Sequence, residues 1–128
     1  MHVIICGTRH RALMPGEAAW LALMHYDEPL GVVVTGGAPG IDTSADHWAS
    51  DQGIVRVIFP ANWQGDGRSA GPRRNRRMAA YLCAHDRPRV LAFPGGVGTR
   101  NMISTAEAMA IPVLYAPTWE TPRQQSAL

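Results

Sequence analysis

The segment Pro94-Gly95-Gly96-Val97-Gly98-Thr99 follows an apolar run and precedes a helical pattern. Glycines at this place let the backbone turn tightly and come close to a ligand. Free amides at the start of the next helix then face an anion, which the helix dipole favours. Thr99 adds a hydroxyl donor. The same residues also suit a turn packed closely for its own sake, with Thr99 as an ordinary helix cap. Gly36-Gly37 forms a second turn of this kind, and the pair together favours the ligand reading. Neither turn carries the Lys-Ser/Thr of a Walker loop or the spacing of a dinucleotide fingerprint.

Three further groups can join such a site. Gly7-Thr8-Arg9 ends the first apolar run. Asp42 lies at the start of a helix, as a compensator of its dipole, an acceptor for ribose hydroxyls or a catalytic carboxylate. Arg73, Arg74, Arg76 and Arg77 make a dense basic run. Like charges four apart do not support a helix, so the run binds an anion or faces water. Arg74 with Asn75 falls nearest the strand ends and is the pair expected in the site. Trp63 suits base stacking or the anchoring of its loop.

The elements that must place these residues alternate. Strands are expected at His2–Cys6, Gly31–Thr35, Ile54–Phe59, Arg89–Phe93 and Pro112–Tyr115. Helices are expected at Pro15–Tyr26, about Ile41–Gln52, Arg73–Ala84 and about Thr99–Ala110, with a glycine-containing loop from Ala61 to Pro72. Ile41, Ala45, Trp48 and Ala49 have the spacing of a core-facing helical stripe. The strands are mostly apolar throughout, which signals a parallel sheet covered on both faces. The expected fold is α/β, a Rossmann-like doubly wound, mostly parallel five-stranded sheet with helices on both faces. Ligands of such sheets bind beyond the carboxyl ends of the strands, where the chain order reverses. Residues 1–116 read as one domain and 117–128 as a polar tail.

Composition narrows the function. A hydrophobic share of 46% in 128 residues suits one packed core. All twelve basic residues are arginine, and the formal net charge is +2. Arginine's planar fork grips phosphate at two points, as lysine cannot. The small net charge and the lack of lysine argue against a large nucleic-acid footprint. Cys6 and Cys83 have no metal-ligand spacing, nor do the five histidines. No metal and no cofactor are expected. With no signal peptide and no membrane-crossing run, the reading is a cytoplasmic protein with reduced thiols.

Taken together, Gly36-Gly37-Ala38-Pro39-Gly40-Ile41-Asp42, Pro60-Ala61-Asn62-Trp63, Ala70-Gly71-Pro72-Arg73-Arg74-Asn75 with Met78, and Phe93 to Thr99 with Met102 resemble the SLOG superfamily. The nearest match is its small YspA-like branch, and it covers about residues 3–115. The resemblance implies a Rossmann-like fold, a nucleotide or nucleotide-derived ligand, a homodimer or higher homo-oligomer, and a source in bacteria or their phages. The helices carrying Trp20 and Trp48 offer an interface, or belong to the core. LOG-type relatives hold a nucleoside monophosphate and cut its base-to-ribose bond. Their pattern continues with glutamates where this chain has Asn101 and Met102.

Three functions follow. One is a sensor or sequestering protein for a nucleotide-derived ligand. Another is an N-glycosidic hydrolase, with Asp42 as acid or nucleophile and Arg9 and Arg74 on the phosphate. The third is a DprA-like module that handles single-stranded DNA through its arginine run. The expected ligand contacts are Gly7, Thr8, Arg9, Gly36, Gly37, Asp42, Arg74, Asn75, Pro94, Gly95, Gly96, Gly98 and Thr99.

Overall fold

The computed structural model describes residues 1–119. The part of the expected polar tail from 120 to 128 lies outside the described residues. Five strands, β1 (His2–Cys6), β2 (Val32–Thr35), β3 (Val55–Ile58), β4 (Pro88–Ala92) and β5 (Val113–Tyr115), form one parallel sheet in the order β3-β2-β1-β4-β5. The helices are α1 (Pro15–Asp27), α2 (Ile41–Asp51), α3 (Trp63–Asp66), α4 (Ala70–Cys83) and α5 (Val97–Ala108). The fold is Rossmann-like α/β.

Side chains alternate across each strand, and two core layers result. Val3, Ile5, Val33, Leu91 and Phe93 pack with Leu21, Ile41, Ala45 and Ala49, which α1 and α2 supply. Ile4, Cys6, Val34, Val90 and Ala92 pack with Met78, Leu82, Met102 and Ala106 from α4 and α5. Trp20 meets Phe93 edge-on at 5.6 Å, and Trp48 packs against the same layer. Both tryptophans therefore serve the core. The outward face of α1 instead carries exposed Leu23 and Tyr26.

Most element ends shift by one to three residues from the sequence reading, and two of the shifts bear on the site. The stretch from Ala61 to Pro72 is not a plain loop: it holds α3, a 3-10 turn at Gly67–Ser69 and the first turn of α4. Pro72 fits that first turn because its missing N–H has no helical partner there anyway. Helix α5 begins at Val97 with Gly96 as its cap residue, so Thr99 lies inside the first turn and is not the cap. Strand β3 is also less buried than its apolar residues suggest. It is an edge strand: Val57, and Phe59 just beyond the strand's end, pack against the core, while Val55 and Ile58 are exposed.

Thr35, at the end of β2, is fully buried, and its hydroxyl has no hydrogen-bond partner. Removing an unsatisfied buried hydroxyl at nearly constant volume relieves a desolvation penalty. Thr35→Val is expected to stabilise the fold by about 1 kcal/mol, read as a higher urea midpoint at unchanged m-value. A lower midpoint would mean that the hydroxyl has a partner.

Candidate functional site

The chain leaves β1, builds β2 and β3 on one side, then crosses to β4 on the other. The order therefore reverses between β1 and β4, and the turns after these two strands lie side by side. The Thr8 amide donates to the Pro94 carbonyl at 2.8 Å, which ties them together. Gly7 is required there: a Cβ would sit 2.8 Å from both Ile41 Cγ1 and Phe93 Cβ. The Thr8 carbonyl accepts from the Ile41 amide at 3.0 Å, so the β1 turn is also fixed to the start of α2.

A cleft of about 490 Å3 opens at this junction. Gly7, Thr8, Arg9, Asp42, Arg74, Asn75, Gly96, Gly98 and Thr99 line it, nine of the residues expected from the sequence. Gly36, Gly37, Pro94 and Gly95 are not among its lining residues. The Gly36 and Ala38 amides donate to Asp42 Oδ2 at 3.1 and 3.3 Å, so this turn spends them internally. Gly37 has φ +71°, and its Cβ position abuts Ile58. Gly95 lies beneath the Thr99 side chain and against the Gly7 backbone. These four residues pack behind the lining, and the uncapped amides belong to the β4 turn. The first amides of a helix have no intrahelical acceptor, and no side chain caps α5.

Arg74 joins three elements. Its Nη1 donates to the Gly36 carbonyl at 2.7 Å and the Phe59 carbonyl at 3.4 Å, and its Nε donates to Asn75 Oδ1 at 3.0 Å. Asn75 Nδ2 continues the chain to Asn101 Oδ1 at 2.9 Å and the Gly98 carbonyl at 3.3 Å. A run of hydrogen bonds thus links the β2 turn, α4 and the start of α5. Arg73, Arg76 and Arg77 are exposed and do not line the cleft.

Arg68, Trp63 and Asn101 also line the cleft. Arg68 carried no signal, because its stretch read as a loop of undefined course. Asn101 stood only as a departure from a family pattern, yet its side chain anchors Asn75. Trp63 is 55% exposed at the lip, so it does not anchor its loop in the core.

The cleft is cationic. Arg9, Arg68 and Arg74 line it against one carboxylate, Asp42. Burial pushes the Asp42 carboxyl above its usual range, opposed by the Ala38 amide, the Arg74 guanidinium, the Gly36 amide and Arg9. Burial likewise lowers the Arg74 guanidinium, while Asp42 raises it. Cys6, at the floor, is a buried thiol held protonated by burial and by Asp42. Among the described residues, no group of three or more His, Cys, Asp or Glu is placed to hold a metal. No helix there is long and apolar enough to cross a membrane.

The loop that carries Arg9 is held from behind by fully buried Glu17. Glu17 accepts two bonds from Arg11, at 2.6 and 3.0 Å, one from the Met14 amide at 2.9 Å and one from the Thr118 hydroxyl. Burial alone would raise its pKa, but Arg11, the Met14 amide and Thr118 together hold it below the usual glutamate range. A lowered folded pKa means stability that is complete above the unfolded value and lost as pH falls through the folded one. Glu17→Gln is expected to cost about 1–3 kcal/mol at pH 7. The gap from wild type should close as pH falls through the lowered Glu17 pKa. Urea titrations across that range would measure it, and a pH-independent gap would show that the charge is not the cause.

A five-stranded parallel sheet with a cationic, glycine-walled cleft at its switch point defines a Rossmann-like α/β protein. The chain belongs to the YspA, cpYpsA-related SLOG family, whose model matches residues 1–65. It is also 36% identical over 124 residues to the "Gene 61 protein" of Mycobacterium phage D29, covering 81% of this chain and 94% of that protein. The α4 and α5 segments that complete the cleft lie beyond the stretch the family model matches.

Proposed function

We propose that the cleft binds a nucleotide or nucleotide-derived ligand, and that the protein acts as a sensor or sequestering protein for it. One observation carries the reading: three arginines and the uncapped start of α5 face one cavity that holds a single carboxylate. Phosphate satisfies such donors with charge-assisted bonds. Trp63 at the lip supplies a flat apolar face for a base, and Met78 and Met102 add apolar lining. The expected result is thermal stabilisation by at least one nucleoside monophosphate, weakened in Arg9→Ala and Arg68→Ala. No stabilisation by any of the common nucleotides would remove the reading.

A second reading rests on Asp42, a buried carboxylate of raised pKa that lines the cleft. A group of this kind can donate a proton to a leaving base. Water would add its hydroxyl to C1′ and its remaining proton would return to Asp42, giving free base and ribose 5-phosphate. Free base in the mass spectrum, absent with Asp42→Asn, would select the hydrolase. Two facts favour binding without turnover. Asp42 Oδ2 is engaged by two amides, and Asn101 and Met102 are neutral.

A further inference from the structure

We propose that the ligand is a two-unit nucleotide, with its linking phosphate at Arg9 and His10 and its second unit in a groove beside the main cleft. This inference rests on the nucleotide-binding reading and names its substrate class. The groove is a separate concavity of about 370 Å3, formed by the loop after β1 and the first turns of α2. Arg9 and His10 line both it and the cleft. The two chambers therefore meet along one ridge of nitrogen donors. Small-molecule sites hold roughly 300–1,000 Å3. Each chamber falls low in that range, which suits one nucleotide unit apiece.

The chemistry of the groove gives the sign of its occupant. No carboxylate lines it. The nearby acids are engaged elsewhere: Glu17 by Arg11, Asp46 by Arg56 at 3.3 Å, and Asp42 by the β2 turn. Arg11 is neutralised by Glu17 and acts as wall. Ser44 Oγ accepts from the Leu13 amide at 2.8 Å, and the Thr43 hydroxyl donates to the Ala38 carbonyl at 2.7 Å. Arg9, His10 and His47 remain, all exposed. A ridge of donors between two chambers matches a phosphate that joins two sugars, because phosphate alone offers charge and several acceptor oxygens to donors on both sides.

Calorimetric titration of the full chain tests this. The four nucleoside monophosphates are titrated first. The preferred base then fixes two probes, its 5′-phosphorylated phosphodiester dinucleotide and its dinucleoside pyrophosphate. At least one two-unit probe is expected to bind about tenfold or more tightly than the monophosphate. Which one does so identifies the linkage. His47→Glu and the milder His47→Ala are expected to remove most of that advantage and leave monophosphate binding within about twofold. Equal affinities for one-unit and two-unit probes overturn the proposal, as does a two-unit advantage insensitive to both His47 variants. In either case the nucleotide-binding reading survives. Failure of every probe to bind removes both.

Discussion

Replacing Arg74 by Met is expected to destabilise the protein by about 2–4 kcal/mol and to weaken nucleotide binding about tenfold or more. Both effects have the same origin. Arg74 is half-buried and donates to the carbonyls of Gly36 and Phe59. Methionine fills much of its volume but leaves the buried Gly36 carbonyl without its closest donor. It also removes the cation that offsets Asp42, whose carboxyl burial already pushes upward. A buried charge deprived of its partner is strongly destabilising. The binding loss follows because Arg74 lines the cleft and orders Asn75, and through it Asn101.

Arg9→Ala and Arg68→Ala separate the two effects. Both side chains are exposed, so stability should change by less than about 0.5 kcal/mol while affinity still falls. Urea unfolding and calorimetry on the three variants give the comparison. Undiminished affinity in all of them would mean that the arginines of the cleft do not hold the ligand.

Gly40→Ala is expected to be the most damaging single-methyl change, at about 3 kcal/mol or more. Gly40 has φ +81°, a conformation unfavourable for any L side chain. Its Cβ would also collide with the Thr8 carbonyl and lie 2.7 Å from the Arg9 carbonyl carbon and 2.8 Å from Arg9 Cα. Those atoms are backbone, and they belong to the loop that presents Arg9. The loop cannot yield, because Thr8 is bonded to both Pro94 and Ile41. Any soluble Gly40→Ala protein should therefore lose ligand binding along with stability. Gly16→Ala is the control. It sits in the first turn of α1 with nothing within 4 Å of its Cβ position. Alanine there should stabilise by roughly 0.5–1 kcal/mol. Similar thermal midpoints for the two variants would refute the steric argument.

Local chemistry alone determined much of this protein. Uninterrupted apolar runs such as Val32-Val33-Val34 mean strands buried on both faces, and stops such as Gly36-Gly37 and Pro94-Gly95-Gly96 end them wherever the chain must turn. Those patterns made the alternating parallel fold legible. The switch-point rule then gathered Gly7, Asp42, Arg74 and Gly96 at one end of the sheet. Helix ends were less legible. Gly71, Pro72 and Gly98 are poor helix formers by propensity, yet each lies in a first turn where propensity matters little.

The division of labour within the site was decided only by the tertiary structure. Gly36-Gly37 and Pro94 to Gly98 look alike as sequence, but Asp42 takes up the Gly36 and Ala38 amides while the start of α5 stays uncapped. Position along the chain favoured Arg74 among four neighbouring arginines in α4, but only the packing supplies the Gly36 carbonyl to which it turns inward. Arg68 joined the cleft without any signal of its own, and Asn101 stood out only as a departure from a family pattern. Periodicity reports which face of an element is apolar. Which donor meets which acceptor across 38 residues, as Arg74 meets Gly36, depends on how the elements pack, and no short window of residues contains that.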